Sequence, residues 1–243
     1  MKKLFYSAII LTSLLVSCQE NLEPVINPDP PVDTPSRTRI KSETGSSDTS
    51  TYLYDNLGRQ VLYTTTTGYK KETTYDSGQV QQTSYNPQGI PTVIVTSVLN
   101  EKGLITYSES SNIPGGSTSY EYNDDNQVVK YTSITPSGTF EAVSTFVDGN
   151  KESITYLKNG VFQYTYKYTY YTDKSNGIDD EYYGESFRGH GNKNLLKNWI
   201  AISKDGLIFN SYSYTYTFDD KGRVLTLNEI HSDQTNTYTY AYY

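Results

Sequence analysis

The chain has 243 residues, a formal net charge of -7, 26 tyrosines and a single cysteine. An acidic balance without a basic stripe excludes the electrostatic footprint of a nucleic-acid binder and argues against broad adhesion to anionic headgroups. With one cysteine no internal disulfide can form, so any folded domain here is held by strand pairing and burial alone.

The elements begin with a secretory signal at residues 1–17. Lys2 and Lys3 form a positive start, Leu4 to Val16 are mostly apolar, and Leu15-Val16-Ser17-Cys18 closes the segment. The apolar run is shorter than the roughly 20 residues that a spanning helix needs. Leu15-Val16-Ser17-Cys18 resembles the bacterial lipobox, in which a small residue precedes a cysteine that is acylated before the chain is cut ahead of it. Cys18 is therefore the expected lipidation site, and several acyl chains at about 0.8 kcal/mol per buried methylene make a stable membrane anchor.

Residues 18–50 read as a tether. Pro24, Pro28, Pro30, Pro31 and Pro35 stand among polar residues with few apolar ones, which favours extended, solvated chain. Glu20 and Glu23, close behind Cys18, resemble the surface-export signals of Bacteroidetes lipoproteins. The outer membrane is the expected address, with the periplasmic or the cell-surface side left open.

From 51 to 243 the pattern is that of one tyrosine-rich, all-β domain. Tyr164, Tyr166, Tyr168 and Tyr170 fall on one side of an extended run and Thr165, Lys167, Thr169 and Tyr171 on the other; a period of two predicts a strand. Tyr212, Tyr214, Tyr216 and Phe218 repeat the pattern, as do Tyr238, Tyr240 and Tyr242. Asn159-Gly160 and Asp205-Gly206 fit type I′ hairpin turns, in which both central residues take positive φ. With the other glycine reversals they predict roughly fourteen antiparallel strands in up-and-down order. So many sequential hairpins curl into a barrel or half-barrel, since open twisted sheets seldom exceed about ten strands. A β-sandwich or a single-layer sheet is the alternative. Asn192 to Trp199 reads equally as a short helix or as loop running into strand.

One internal repeat is more specific. Tyr52-Leu53-Tyr54-Asp55-Asn56-Leu57-Gly58-Arg59 returns as Tyr216-Thr217-Phe218-Asp219-Asp220-Lys221-Gly222-Arg223, with a degenerate copy over Tyr120 to Gln127. The aspartate accepts hydrogen bonds from turn amides and the glycine takes the left-handed position, so turn chemistry accounts for these residues without a site. These YxYDxxGR hairpins resemble those of YD-repeat proteins. With the lipobox and the proline tether, they are more particularly similar to a family of Bacteroidetes lipoproteins of unknown function with a porin-like β fold. The resemblance implies a fold and an envelope address; it implies no reaction.

Catalytic patterns are missing from the sequence. His190 and His231 have no second histidine or cysteine at metal-ligand spacing, so no metal or other cofactor is expected. No GxSxG elbow occurs. The acidic stretch from Asp173 to Glu181 fails the EF-hand spacing, because the asparagine before its glycine comes one residue too early. Nothing singles out two carboxylates for glycoside hydrolysis. The break in hairpin rhythm from Thr172 to Trp199 is the place to expect a site: it caps or plugs one end of the curled sheet, with Tyr182, Tyr183, Arg188 and Trp199 as candidate ligand contacts, or it fills the core. The expected function is a non-enzymatic, lipid-anchored binding or scaffolding module, with glycans and peptides as candidate ligands. An envelope glycan hydrolase and an outer-membrane channel are the alternatives; the channel lacks an outward apolar band, as in Tyr63-Thr64-Thr65-Thr66-Thr67.

Overall fold

The computed structural model describes residues 38–243; the signal segment, Cys18 and the tether as far as residue 37 lie outside the described residues. The strands in chain order are β1 (Ile40–Thr44), β2 (Thr49–Tyr54), β3 (Gln60–Thr65), β4 (Lys70–Asp76), β5 (Gln79–Tyr85), β6 (Pro91–Leu99), β7 (Ile105–Ser110) and β8 (Ser117–Tyr122). They continue as β9 (Val128–Thr135), β10 (Gly138–Val147), β11 (Asn150–Lys158), β12 (Val161–Ser175), β13 (Asn194–Ser203), β14 (Ile208–Phe218), β15 (Val224–His231) and β16 (Gln234–Tyr242). Among the described residues, helix is limited to one 3-10 turn at Ser186–Arg188.

Each strand pairs antiparallel with the next, and β1 pairs with β16 through Glu43↔Tyr240 and Thr44↔Thr239, so the sheet closes into a barrel of sixteen strands. The fold is thus the up-and-down barrel, with two strands more than the fourteen expected.

One of those strands lies where the sequence reads as tether. The barrel begins at Ile40 and not near Thr51. Ile40-Lys41-Ser42-Glu43-Thr44 has a single large apolar residue, too little alternation to mark a strand locally. It becomes one because β2 and β16 both present unpaired edges to it, and Ile40 itself is fully buried. Asn194–Ser203 is likewise strand and not helix: β13 is paired on both sides, and Leu195 and Ala201 point into the barrel and are buried.

Opposed residues of an antiparallel pair share a face. Tyr166 opposes the fully buried Ala201, so the Tyr164-Tyr166-Tyr168-Tyr170 row faces the lumen. The intervening residues coat the outer wall, where threonine hydroxyls pair across strands at Thr51–Thr64 (2.6 Å), Thr155–Thr165 (3.0 Å) and Thr217–Thr226 (2.6 Å). Lys130 and Glu141 form an ion pair there at 2.8 Å. Among the described residues, exposed apolar side chains on this wall such as Leu53, Val98 and Val143 alternate with threonine and glutamate on the same face and do not join into the continuous apolar band that a membrane-spanning barrel carries.

The reversals after the even-numbered strands form one end, the base; those after the odd-numbered strands form the other, the mouth. The two YD hairpins sit at the base and are built alike. Asp55 Oδ1 accepts from the amides of Leu57 and Arg59, and Asp55 Oδ2 from Arg59 Nε at 2.7 Å; Asp219 repeats all three bonds with Lys221 and Arg223, again with 2.7 Å to Nε. Gly58 and Gly222 take φ of 74° and 76°, where a side chain is disfavoured. Asn159-Gly160 is positive at both residues, as a type I′ turn requires. Asp205-Gly206 is not: only Gly206 is positive, and its amide bonds to Ser203 O at 3.0 Å. Ser203 Oγ takes the Leu207 amide at 3.3 Å, which fits a wider reversal of the kind Asp55 and Asp219 build.

Candidate binding site in the barrel lumen

Residues 176–193, between β12 and β13, leave the wall and cross the base as a plug. Carbonyls of Tyr182 and Gly184 accept from the amides of Ile40 (3.4 Å) and Gln60 (3.1 Å), while the His190 and Lys193 amides donate to Asn126 O (2.9 Å) and Gly149 O (3.0 Å). One segment is therefore stitched to β1, to β3, to the reversal after β8 and to that after β10. Buried amide side chains complete the stitching. Gln60 Nε2 donates to Tyr183 O at 2.9 Å, Gln127 Nε2 to Gly149 O and Gly191 O, and Asn150 and Asn194 exchange bonds at 2.9 Å. Gly184 (φ 73°) lies so close to the wall that a Cβ there would stand 2.7 Å from Gln60 N. Phe187 is the apolar pin: it is buried against Val80, Ile105 and Tyr75.

Charge holds the plug as well. Glu185 Oε1 accepts from Lys71 Nζ (2.6 Å) and Gln82 Nε2 (2.8 Å), and Oε2 from Arg188 Nε (2.7 Å); Arg188 Nη2 donates to Gln82 Oε1 at 3.0 Å. Burial pushes the Glu185 carboxyl up, but Arg188 and Lys71 together override it and leave it below the ordinary carboxylate range.

Several cavities open on the plug: one of about 510 Å³ lies against Tyr182, His190 and Asn192, and two others share lining residues. The first of these two, about 420 Å³, is lined by Tyr52, Gln60, Tyr63, Lys71, Asp180 and Tyr183 among others and reaches Tyr69 and Tyr85 toward the mouth. The second, about 310 Å³, is lined by Val128, Phe146, Lys151, Ile178, Asp180, Tyr183 and Arg188 among others. Asp180 and Tyr183 belong to both, so they mark the junction. Asp180 keeps surface open to solvent while protein encloses it on most sides, and that enclosure pushes its carboxyl up. Burial pushes the Lys151 ammonium down, with Asp180 opposing the shift. Among the described residues, neither charge has an ion-pair partner within 4.0 Å.

The sign for Asp180 gives a stability prediction. A carboxyl whose folded-state pKa is raised disfavours folding once ionised, so Asp180→Asn raises the melting temperature at neutral pH, and only slightly because the exposed part of Asp180 stays hydrated. The gain disappears as pH falls through the raised value to below the ordinary carboxylate range, where both forms are uncharged. Thermal melts of the two proteins at neutral and acid pH check this; a variant less stable at pH 7 would show Asp180 to be a structural partner.

Of the four contact residues expected from the sequence, two meet at the junction. Tyr183 donates to Glu43 Oε2 at 2.6 Å and packs on Tyr52 at 5.0 Å, and Arg188 lines the smaller cavity. Tyr182 instead packs against the cluster of Ile40, Leu195 and Val224. Trp199 is not part of the plug: it sits on β13, stacked on Tyr212 at 4.6 Å and in contact with Tyr166 at 5.0 Å, its Nε1 donating to Tyr214 OH at 2.9 Å. His231 extends that stack on the other face of Tyr212 at 4.3 Å, and His190 Nδ1 lies 2.7 Å from Asp125 O. The faces of these rings are spent on one another, which is cross-strand packing and not a free stacking platform. Lys151, Gln60 and Gln82 were not singled out in the sequence, whereas Asp180 belongs to the acidic stretch inside the break from Thr172 to Trp199. Gln60, Gln82 and Lys151 are polar residues within strands and carry no local pattern that marks them.

No protein-family model matches the chain, and no curated protein does. Among solved structures, a porin-like protein from Bacteroides uniformis is similar over 86% of this chain and 98% of its own, at 20% identity and a TM-score of 0.64. A porin-like protein from Bacteroides vulgatus is similar over 85% of this chain and 99% of its own, at 13% identity and a TM-score of 0.60. The fold is porin-like. At such identities the likeness extends to the barrel and not to individual lumen residues, so the chemistry of the porin-like barrel described here rests on its own side chains.

Proposed function

We propose that this chain is a non-enzymatic binding module of the cell envelope, held to the outer membrane by lipid on Cys18, whose ligand enters the porin-like barrel at the mouth and rests on the plug. Glycans and peptides are the candidate ligand classes. The observation that carries the reading is the pair of charges without ion-pair partners, Asp180 and Lys151, facing one lumen cavity. A carboxylate and an ammonium that face one space without closing to an ion pair leave room between them for polar groups from outside.

Neighbouring carboxylates favour binding over hydrolysis. Both oxygens of Glu185 are taken by Lys71, Gln82 and Arg188, and Glu43 takes the hydroxyl of Tyr183, so neither is free to act as the second group of a glycosidase pair with Asp180. The hydroxyl-coated outer wall favours a water-soluble barrel over a spanning channel. A glycan and peptide binding screen on a version starting after Cys18 tests both points. The expected result is a ligand whose affinity falls at least about tenfold in Lys151→Met, from protein that stays in solution without detergent. A protein that needs detergent, or a ligand indifferent to Lys151, would overturn the reading.

A further inference from the structure

We infer that the lumen floor takes a zwitterionic unit, an amino acid or the termini of a short peptide, with its ammonium group toward Asp180 and Gln60 and its carboxylate toward Lys151 and Arg188. The inference rests on the lumen-floor reading above and narrows it from polar ligands in general to those that carry both charges.

The larger of the two cavities that share Asp180 is lined by Lys70 and Lys71 as well as by acceptors, but both lysines are already paired, with Glu72 at 2.8 Å and Glu185 at 2.6 Å. Besides Asp180 it contains Gln60, only 2% exposed, whose Oε1 is buried and has no hydrogen-bond partner. The amide cannot turn to relieve this, because its Nε2 is held by Tyr183 O at 2.9 Å. Tyr52, Tyr63 and Tyr183 line the same space, with ring centroids 5.5 Å apart for Tyr52–Tyr63 and 5.0 Å for Tyr52–Tyr183. A carboxylate, an orphaned carbonyl oxygen and aromatic rings together suit an ammonium group, which donates in three directions and is attracted to ring faces.

The smaller cavity brings two cationic side chains, Lys151 and Arg188, to the space that Asp179 and Asp180 also line. Among the described residues Lys151 forms no ion pair, and its ammonium lies 5.7 Å from the Phe146 ring centroid. Arg188 commits Nε to Glu185 and Nη2 to Gln82, while a guanidinium carries five N–H donors, so further donors remain for an anion. Charge-assisted bonds to a carboxylate are the strong ones in an enclosed site. Val128, Phe146 and Ile178 give the same cavity apolar wall for a side chain.

Other occupants match less of the floor. A neutral sugar would bond to both sides yet compensate neither formal charge. A simple cation would satisfy Asp180 and leave Lys151 unmatched.

The test is titration calorimetry on the full mature chain in mild detergent. The probes are a panel of unblocked dipeptides with apolar, aromatic and polar side chains, their N-acetylated and C-amidated forms, and chitotriose as the neutral saccharide. At least one unblocked dipeptide should bind, and each blocked form of it should bind about tenfold or more weakly. In Asp180→Asn the penalty for N-acetylation should vanish while that for C-amidation stays; Lys151→Met should show the reverse. Circular dichroism of both variants confirms that they are folded. Blocked and unblocked forms binding alike, or no dipeptide binding at all, overturns the inference. If chitotriose alone binds and Asp180→Asn weakens it, the zwitterion assignment fails and the lumen-floor reading stands. If no probe binds, both fail.

Discussion

Glu185→Gln lowers the stability of the barrel by about 3 kcal/mol at neutral pH, seen as an earlier midpoint in urea with an unchanged slope. The substitution keeps the shape of the side chain and removes its charge, so Lys71 and Arg188 lose the carboxylate that both ion pairs share at 2.6 and 2.7 Å. The size is set near the low end for a buried pair because Arg188 remains 37% exposed and keeps part of its hydration. Its pH dependence follows from the sign: a carboxyl held below its unfolded value contributes fully above the ordinary carboxylate range and loses that contribution as pH falls through the folded value. The difference between the two proteins should therefore shrink in acid. An unchanged midpoint at neutral pH would mean that Phe187 and the buried amides hold the plug without the charges.

A chain that starts at Thr38 forms a monomeric barrel, and one that starts at Ser46 does not. The shorter chain loses β1, and with it the pairing of β16 and the first edge of β2. It also loses Ile40, fully buried in the base cluster, and Glu43, which holds the hydroxyl of Tyr183. Removing a buried isoleucine alone costs about 2–5 kcal/mol, and two exposed edges invite association with other chains. Size-exclusion chromatography with light scattering distinguishes the outcomes. A monomeric, folded product from the shorter chain would show that closure between β1 and β16 is dispensable.

Both results turn on parts of the molecule that differ in how far the sequence reveals them. The alternation of Tyr164 to Tyr170 and of Tyr212 to Phe218 marks strands because the period of two is a property of the pleat itself, independent of what packs on it. The Asp55 and Asp219 turns are legible for a similar reason: every bond they make is to a residue at most four positions away. The capping segment at 176–193 stands out because it is too long for a hairpin and interrupts their rhythm.

β1 is not legible, since its stability comes from neighbours at opposite ends of the domain. Nor is β13 over Asn192 to Trp199, where a short apolar run gives the same local pattern for helix and strand until β12 and β14 pair with it. Both strands are settled by the partners that pair with them and not by local composition.

Composition and short-range pattern were enough to determine an antiparallel, tyrosine-rich, up-and-down sheet with tight polar reversals, because alternation and turn geometry act within a few residues. Only the tertiary structure decided that the sheet closes through a strand taken from the tether, that Glu185 meets Lys71 across 114 positions of chain, and that Asp180 and Lys151 face one cavity. The reason is physical: ring closure, burial and electrostatic enclosure depend on distances in space, and no residue's local sequence records which distant strand will stand beside it.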